Sequence, residues 1–510
     1  MLSKIKSLGL SGIEGYPIDV EIDLNNGLPA YDVVGLPDAS IKEGKDRIRS
    51  AIKNCGYQYP IYKITVNLAP ADTKKEGPVY DLPIALGLLS ATDQIPIHST
   101  DNYVILGELS LDGHVRKLKG ILPMLISARE NGFKKVIIPY ENAKEASFIE
   151  GLETYAVKTL TETVDFLLGR LPIFPVKISS YEELKNNEIY ANDFCYVKGQ
   201  STAKRALEIA AAGGHNMLMI GPPGSGKTML AKAFPSILPD LTFEEALEVT
   251  KIHSVAGTLD SKKGIVIQRP FRAPHHTTTL ITMVGGGHTS RPGEVSLAHN
   301  GVLFLDEMPE YSRNLIETLR QPLEDRVITV ARIAQTVVYP ADFTLIASMN
   351  PCPCGYYGSK IHQCKCTMAQ IHKYLNKLSG PLMDRIDLQI EVDSIDIKDF
   401  TKDELAEPSA KVKERVTKAR KIQNERFKNT GIHNNAGMNS ALVKKHCKLD
   451  ADCEKLLLNA FEKLKLTARA HDRILKVART IADLAGSENI QKQHIIEAIN
   501  YRTLDRKYWM

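Results

Sequence analysis

The segment Gly221, Pro222, Pro223, Gly224, Ser225, Gly226, Lys227, Thr228 has the spacing G-x-x-x-x-G-K-[ST], after the apolar run Met217–Ile220 and before a helical stretch Thr228–Phe234. Glycines there let successive backbone N–H groups turn toward a phosphate chain. The helix N-terminus adds its positive end, Lys227 reaches the β- and γ-phosphates, and the Thr228 hydroxyl ligates Mg²⁺. This is the chemistry of ATP binding. A second apolar run, Val302–Leu305, ends in Asp306 and Glu307. At such a strand end Asp306 holds the magnesium shell and Glu307 polarises the attacking water; standing alone, the pair reads equally well as an acidic cap on a buried strand. A third run, Phe343–Ser348, leads to Asn350, whose amide can orient the water or sense the γ-phosphate.

Two further patterns carry chemistry. Cys352, Cys354, Cys364 and Cys366 form two C-x-C pairs around a glycine-containing loop, while Cys55, Cys195, Cys447 and Cys453 are scattered. Four thiolates converging there would close a tetrahedral, structural zinc site; reduced thiols on a loop are the other reading, and His362 and His372 are substitute ligands. Residues 411–428 hold eight basic side chains against Glu414 and Glu425, a local excess of +6 beside +5 for the whole chain. A solvated helix face and a phosphate-contacting patch both fit that run.

The elements that must position these groups are legible in outline. At 510 residues, 43% hydrophobic and 25% charged, the chain has length for roughly three domains of about 150 residues. Its longest apolar stretch, near residues 82–91, falls short of the roughly 18 residues that span a bilayer, and residues 1–14 lack a signal-peptide core. The unpaired cysteine pattern suits a reducing cytoplasm.

Residues 1–170 mix β-rich runs (20–24, 64–67, 103–106, 135–138) with helical stretches (39–54, 82–90), and 171–191 reads as a linker with Pro172 and Pro175. Residues 192–395 alternate strand and helix, which predicts a parallel α/β core. Residues 396–510 show only helical periodicity, at 456–466, 468–485 and 493–502.

The core resembles AAA+ ATPases of the magnesium-chelatase and MCM-helicase side, on residues 221–228, 302–307 and 348–350. The resemblance extends to residues 381–387, similar to the segment in which these proteins carry an arginine finger, and to 467–469, similar to their sensor-2 position. It implies that Arg385 reaches a neighbour's γ-phosphate, that Arg469 (with Arg473 a rival one turn on) contacts nucleotide, and that the chain forms a ring, a hexamer. It also identifies two inserts. Gly285, Gly286 and Gly287 with His288 and Arg291 resemble the helix-2 insert, and residues 326–339 the pre-sensor hairpin, with Arg332 where MCM proteins carry a DNA-contacting lysine. Such residues contact DNA phosphates without reading sequence.

Residues 1–165 resemble the Lon-protease catalytic domain, of ribosomal-S5-like fold, through 75–79, 107–113 and 135–139. Val79 stands where Lon has its serine nucleophile and Leu122 where its lysine belongs. A Ser–Lys mechanism needs a hydroxyl and an amine in reach, so a fold without proteolysis is expected, with Lys75, Tyr80 and Asp81 structural or at the surface; Lys119, were it to shift into place, would still lack a nucleophile. The order of Lon-like domain, chelatase-type ATPase and helical lid resembles the ComM/YifB family of Mg-chelatase-like ATPases. Segments 32–38, 67–72, 271–277 and 350–355 support it. That resemblance implies a DNA helicase driving branch migration during integration of transforming DNA. A magnesium-chelatase motor subunit and an ATP-dependent protease are the competing classes.

Overall fold

The computed structural model describes residues 1–185, 190–287, 291–331, 336–359, 362–393, 406–464 and 468–509. It divides into two compact units, Met1–Asn187 with Thr242–Ile267, and Glu188–Leu241 with Gln268–Met510. No helix among the described residues is long and apolar enough to cross a membrane.

The first unit is built on a seven-stranded mixed sheet in the order Ala30–Val34, Lys63–Ala69, Glu14–Asn25, Leu2–Ser11, Tyr103–Ile105, Lys135–Pro139, Glu153–Val157. Along Lys63–Ala69 burial alternates residue by residue, so Ile64, Val66 and Leu68 face the core. Helix Ala39–Asn54 starts where the Asp38 carboxylate accepts from the Ile41 N–H at 2.9 Å, and it buries Ile41, Ile48, Ala51 and Ile52. Helix Asp81–Ala91 is buried on every side, which explains why its sequence has no polar stripe.

Two segments depart from the sequence reading. Residues 242–267, read as part of the ATPase core, make their contacts in the first unit. Helix Phe243–Ala256, opened by a Thr242–Glu245 capping box, is tied there by Ser254, which donates to Glu145 at 2.8 Å and accepts from the Gly120 N–H at 3.0 Å. Residues 171–191, read as a linker, contain helix Tyr181–Lys185. Residues 171–185 lie on the same unit through the N–H groups of Val176 and Ser179, both bonded at 2.8 Å, and through the Tyr181 ring tilted against Phe243 with centroids 5.6 Å apart. The short helix escaped notice because its single anchor is an aromatic ring, not a periodic apolar face.

The second unit holds a five-stranded parallel sheet ordered Phe271–Arg272, Val302–Leu305, Thr344–Met349, Met217–Ile220, Leu388–Glu391. Met217–Ile220 and Val302–Leu305 are buried at every residue, as strands covered on both faces must be. Helices Ser409–Arg426, Ser440–His446, Ala451–Leu464, Ala468–Leu484, Lys492–Asn500 and Leu504–Trp509 complete this unit. Buried Asp483 clamps Arg426 and Arg479 among them.

The basic run at 411–428 is mostly spoken for within the chain. Lys413 pairs with Asp240, Arg415 with Glu208 and Glu407, Lys418 with Glu414, and Arg426 with Asp483; Arg420 donates to the Ala211 carbonyl at 2.7 Å. Of the two readings of that run, the phosphate patch loses most of its charge to these partners.

Candidate nucleotide site

Parallel pairing puts three strand ends side by side. Ile220 is level with Met349, and Leu305 with Ala347, so the segments that follow, beginning at Gly221, Asp306 and Asn350, leave the sheet at one carboxyl edge. Gly221 is required there: a Cβ on it would sit 2.2 Å from the Val392 carbonyl oxygen. Gly224 and Gly226 take positive φ, which turns the loop into helix Lys227–Ala233.

Within this edge Thr228 Oγ1 donates to Asp306 Oδ2 at 2.8 Å, and Ser348 donates to the other Asp306 oxygen. A hydroxyl and a carboxylate meeting at a phosphate loop form the hard-oxygen donor set that magnesium takes. Lys227 is nearly buried, and its ammonium donates to the carbonyls of Gly221 (2.8 Å) and Pro222 (2.9 Å), with Asn350 Oδ1 at 3.5 Å. Burial pulls its pKa down to about 8, against the opposing charges of Asp306 and Glu307. Glu307 is exposed at the mouth of the edge and holds a left-handed backbone, φ 52°, with its N–H toward Ser348 Oγ at 3.3 Å. A non-glycine residue kept in that region next to the half-buried Asp306 carboxylate marks a constrained site.

The structure thus gathers residues 221–228, Asp306, Glu307 and Asn350. The partners of the two arginines are different ones. Arg385 is buried, donates to the Pro381 carbonyl at 2.6 Å and pairs with Glu324. Arg469 is exposed, and its charge, with that of Arg473, helps hold Glu324 ionised. Arg473 itself is paired with Asp387, a buried carboxylate that also contacts His215 Nδ1 at 3.0 Å. Arg291 is exposed on a short antiparallel pairing with Gly286; His288 and Arg332 lie outside the described residues.

Sequence reasoning gave no role to Ser348, Tyr311 or Glu324. Tyr311 donates to the Pro274 carbonyl at 2.6 Å, and burial followed by the Asp306 charge pushes its hydroxyl above the ordinary tyrosine range. The signal for Ser348 was a lone hydroxyl ending an apolar strand beside the acidic one. Nothing local marked Glu324, which lies 61 residues from its arginine.

The four clustered cysteines do converge. Their sulfurs all lie within 4.8 Å of one another, with Cys352–Cys354 at 3.4 Å, Cys352–Cys364 at 3.7 Å and Cys354–Cys364 at 3.6 Å. Four sulfurs at about 2.3 Å from a central zinc are separated by about 3.8 Å, so the set fits a tetrahedral ion. His362 and His372 are not part of it.

In the first unit, Val79 and Leu122 are buried in the apolar core, and Lys75, Tyr80 and Asp81 are buried as well. Lys75 donates to the carbonyls of Pro70 and Thr73, and Asp81 pairs with Arg47 at 2.8 Å. The Lys119 stem lies over Gly257, whose Cβ position is 2.8 Å from Lys119 Cε.

Family models match in the same chain order as these features: "Subunit ChlI of Mg-chelatase" at residues 20–142, "Magnesium chelatase, subunit ChlI" at 193–400 and "Magnesium chelatase, subunit ChlI C-terminal" at 406–502. The architecture is therefore that of a Mg-chelatase-type AAA+ protein. The chain is 43% identical over 511 residues to the competence protein ComM of Haemophilus influenzae, covering 99% of this chain and 98% of the relative. It is 43% identical over 506 residues to the YifB protein of Escherichia coli, with the same coverage. Part of it, 29% of the chain, is 35% identical to 27% of Lon protease 2 of Bacillus subtilis. The chain belongs to the ComM/YifB family of Mg-chelatase-like AAA+ ATPases.

Proposed function

We propose that this chain is the protomer of an ATP-hydrolysing ring motor, a hexamer that translocates on DNA in the cytoplasm and promotes branch migration when incoming DNA is recombined. The observation that carries the ATPase part is the meeting of Lys227, Thr228, Asp306 and Asn350 at one sheet edge. The DNA part is supported by full-length likeness to a relative named as a competence protein. Residues 221–228 cradle the phosphates, Thr228 and Asp306 hold Mg²⁺, and Glu307 takes the proton-accepting side of the attacking water while Asn350 orients it. Magnesium, when bound, neutralises charge on the phosphate oxygens. Arg385 acts on the neighbour's nucleotide, Arg469 on the chain's own, and Arg291, His288 and Arg332 contact DNA phosphates. Zinc is held by Cys352, Cys354, Cys364 and Cys366. Residues 1–170, with 242–267 packed in the same unit, form a non-proteolytic platform, the rest of 192–395 the motor and 396–510 the lid.

The names of the matching family models favour one other reading, the motor subunit of a magnesium chelatase. One experiment separates the two: ATP turnover measured with branched DNA, with single-stranded DNA and with porphyrin plus a chelatase partner. Stimulation by DNA is expected; stimulation by the porphyrin system alone would replace the proposal.

A further inference from the structure

The cysteine cluster and the phosphate loop touch at backbone level. Gly355 follows Cys354 with φ +85°, its N–H donating to the Cys352 carbonyl at 2.9 Å. A Cβ on Gly355 would lie 2.6 Å from Cδ and 2.8 Å from Cγ of Pro223. Only a residue without a side chain lets this backbone rest on the proline ring. Pro223 in turn follows Pro222, whose carbonyl accepts from Lys227, and precedes Gly224 in its left-handed turn. The other end of the cysteine loop is as close to the site. Cys352 is two residues from Asn350, whose side chain faces Lys227 at 3.5 Å and whose N–H faces the buried Tyr374 hydroxyl. The four sulfurs thus close a knot whose two flanks are a wall of the phosphate loop and the residue that senses the phosphate.

We propose that the metal-bound cysteine cluster, through Gly355 seated on Pro223, sets the shape of the phosphate loop, so that the chain's nucleotide affinity depends on the metal. The steric part stands on the Gly355–Pro223 contact alone; the metal part rests on the zinc reading above. In cells short of zinc the motor would then lose its grip on ATP without any change at residues 221–228.

A matched pair of glycines tests it. Gly358 shares the left-handed backbone, φ +78°, but has nothing within 4 Å of its Cβ position. The measurements are zinc content by elemental analysis and the dissociation constant of a fluorescent ATP analogue with Mg²⁺. Gly355→Ala is expected to keep its zinc and bind the analogue about tenfold more weakly or worse, because small displacements of positioning groups are amplified at such sites. Gly358→Ala, strained alike but unobstructed, is expected within about twofold of wild type. Adding Pro223→Ala to Gly355→Ala is expected to recover part of the loss, a coupling that independent sites do not show. Equal affinities for Gly355→Ala and Gly358→Ala would overturn the contact. Stripping zinc from the wild-type chain with a chelator is expected to weaken binding as Gly355→Ala does, and undiminished affinity in the stripped protein would overturn the dependence on metal. A native protein purified without zinc would remove the zinc reading itself, while the glycine comparison would still decide the contact.

Discussion

Arg385 is paired with Glu324 of its own chain, and the arginine exposes 7% of its surface while the glutamate side chain exposes 59%. If Arg385 is the finger proposed above, a carboxylate that water can reach holds it back, and the bond from Arg385 itself, with smaller help from the charges of Arg469 and Arg473, keeps that carboxylate ionised. Arg385→Ala is expected to lower turnover by about 10³-fold or more, the scale of an arginine finger. Mixed with Lys227→Ala it should regain activity at mixed boundaries, and no recovery under demonstrated subunit exchange would place Arg385 in a structural role. Glu324→Gln, which weakens the restraint and leaves the arginine, should raise turnover; a loss equal to that of Arg385→Ala would show the pair to be a fold contact.

Lys227 bears on pH. Its pKa is pulled to about 8 by burial, so in the nucleotide-free chain the charged form that attracts phosphate is present below about pH 8 and is lost above it. Affinity for an ATP analogue should therefore fall as pH rises from 7 to 9, whereas Lys227→Arg, whose charge does not titrate there, should bind more weakly but with a flat profile. Parallel profiles would remove the amine from phosphate binding. Glu307→Gln should retain nucleotide and lose hydrolysis.

How much of this was legible depends on how local each signal is. The phosphate loop and the acidic strand could be read because their chemistry is packed into eight and six consecutive residues, and a buried parallel strand announces itself as an unbroken apolar run. Helix Ala39–Asn54 was recovered to the residue because capping and a one-sided apolar face agree. What stayed hidden was non-local. The Ser348–Asp306 bond spans 42 residues and Arg385–Glu324 spans 61, and no periodicity encodes either. The placement of 242–267 was missed for a similar reason: its tie to Glu145 is a single hydroxyl on a helix with only a weakly one-sided apolar face.

Ser348 offers a direct measure of that hidden contact. Ser348→Ala removes one of the two donors to Asp306 Oδ1, leaving the Glu307 N–H at 3.2 Å, and takes from that N–H its second acceptor. The expected cost is about 1–3 kcal/mol in the productive geometry, read as a fall of roughly tenfold in turnover with nucleotide affinity little changed. Unchanged turnover would show that Thr228 and the Glu307 N–H position Asp306 without Ser348.

For the first unit, no peptidase activity on unfolded protein is expected with or without ATP. Val79→Ser would restore a hydroxyl, but Leu122 is packed in the apolar core and Lys119 lies along Gly257, so neither position supplies an amine to activate it. Val79→Ser should therefore remain inert and lose some stability by burying an unpaired hydroxyl, seen as a lower melting temperature. Cleavage that appears with Val79→Ser and survives controls for contaminating proteases would overturn this.

The grip on DNA is the last prediction. A motor that moves along any sequence must hold what every sequence shares, the phosphate backbone, so its moving contact needs a basic residue on a stiff element tied to the nucleotide sensor. Strands Val327–Ala331 and Thr336–Pro340 form such an element. They pair from Val327 with Pro340 to Ala331 with Thr336, and Ile328, Val330, Val337 and Tyr339 are buried. The base is pinned by Arg326 to Asp342 at 2.9 Å, just before strand Thr344–Met349 and Asn350. Arg332 lies outside the described residues, and Arg291 is exposed on the short pairing with Gly286. Arg332→Ala should keep basal hydrolysis and ring assembly, lose stimulation by DNA and strand exchange, and reduce the salt slope of binding by about one unit for the phosphate contact removed. If Arg332→Ala migrates branched DNA at the wild-type rate while Arg291→Ala does not, the grip belongs to the glycine-rich insert.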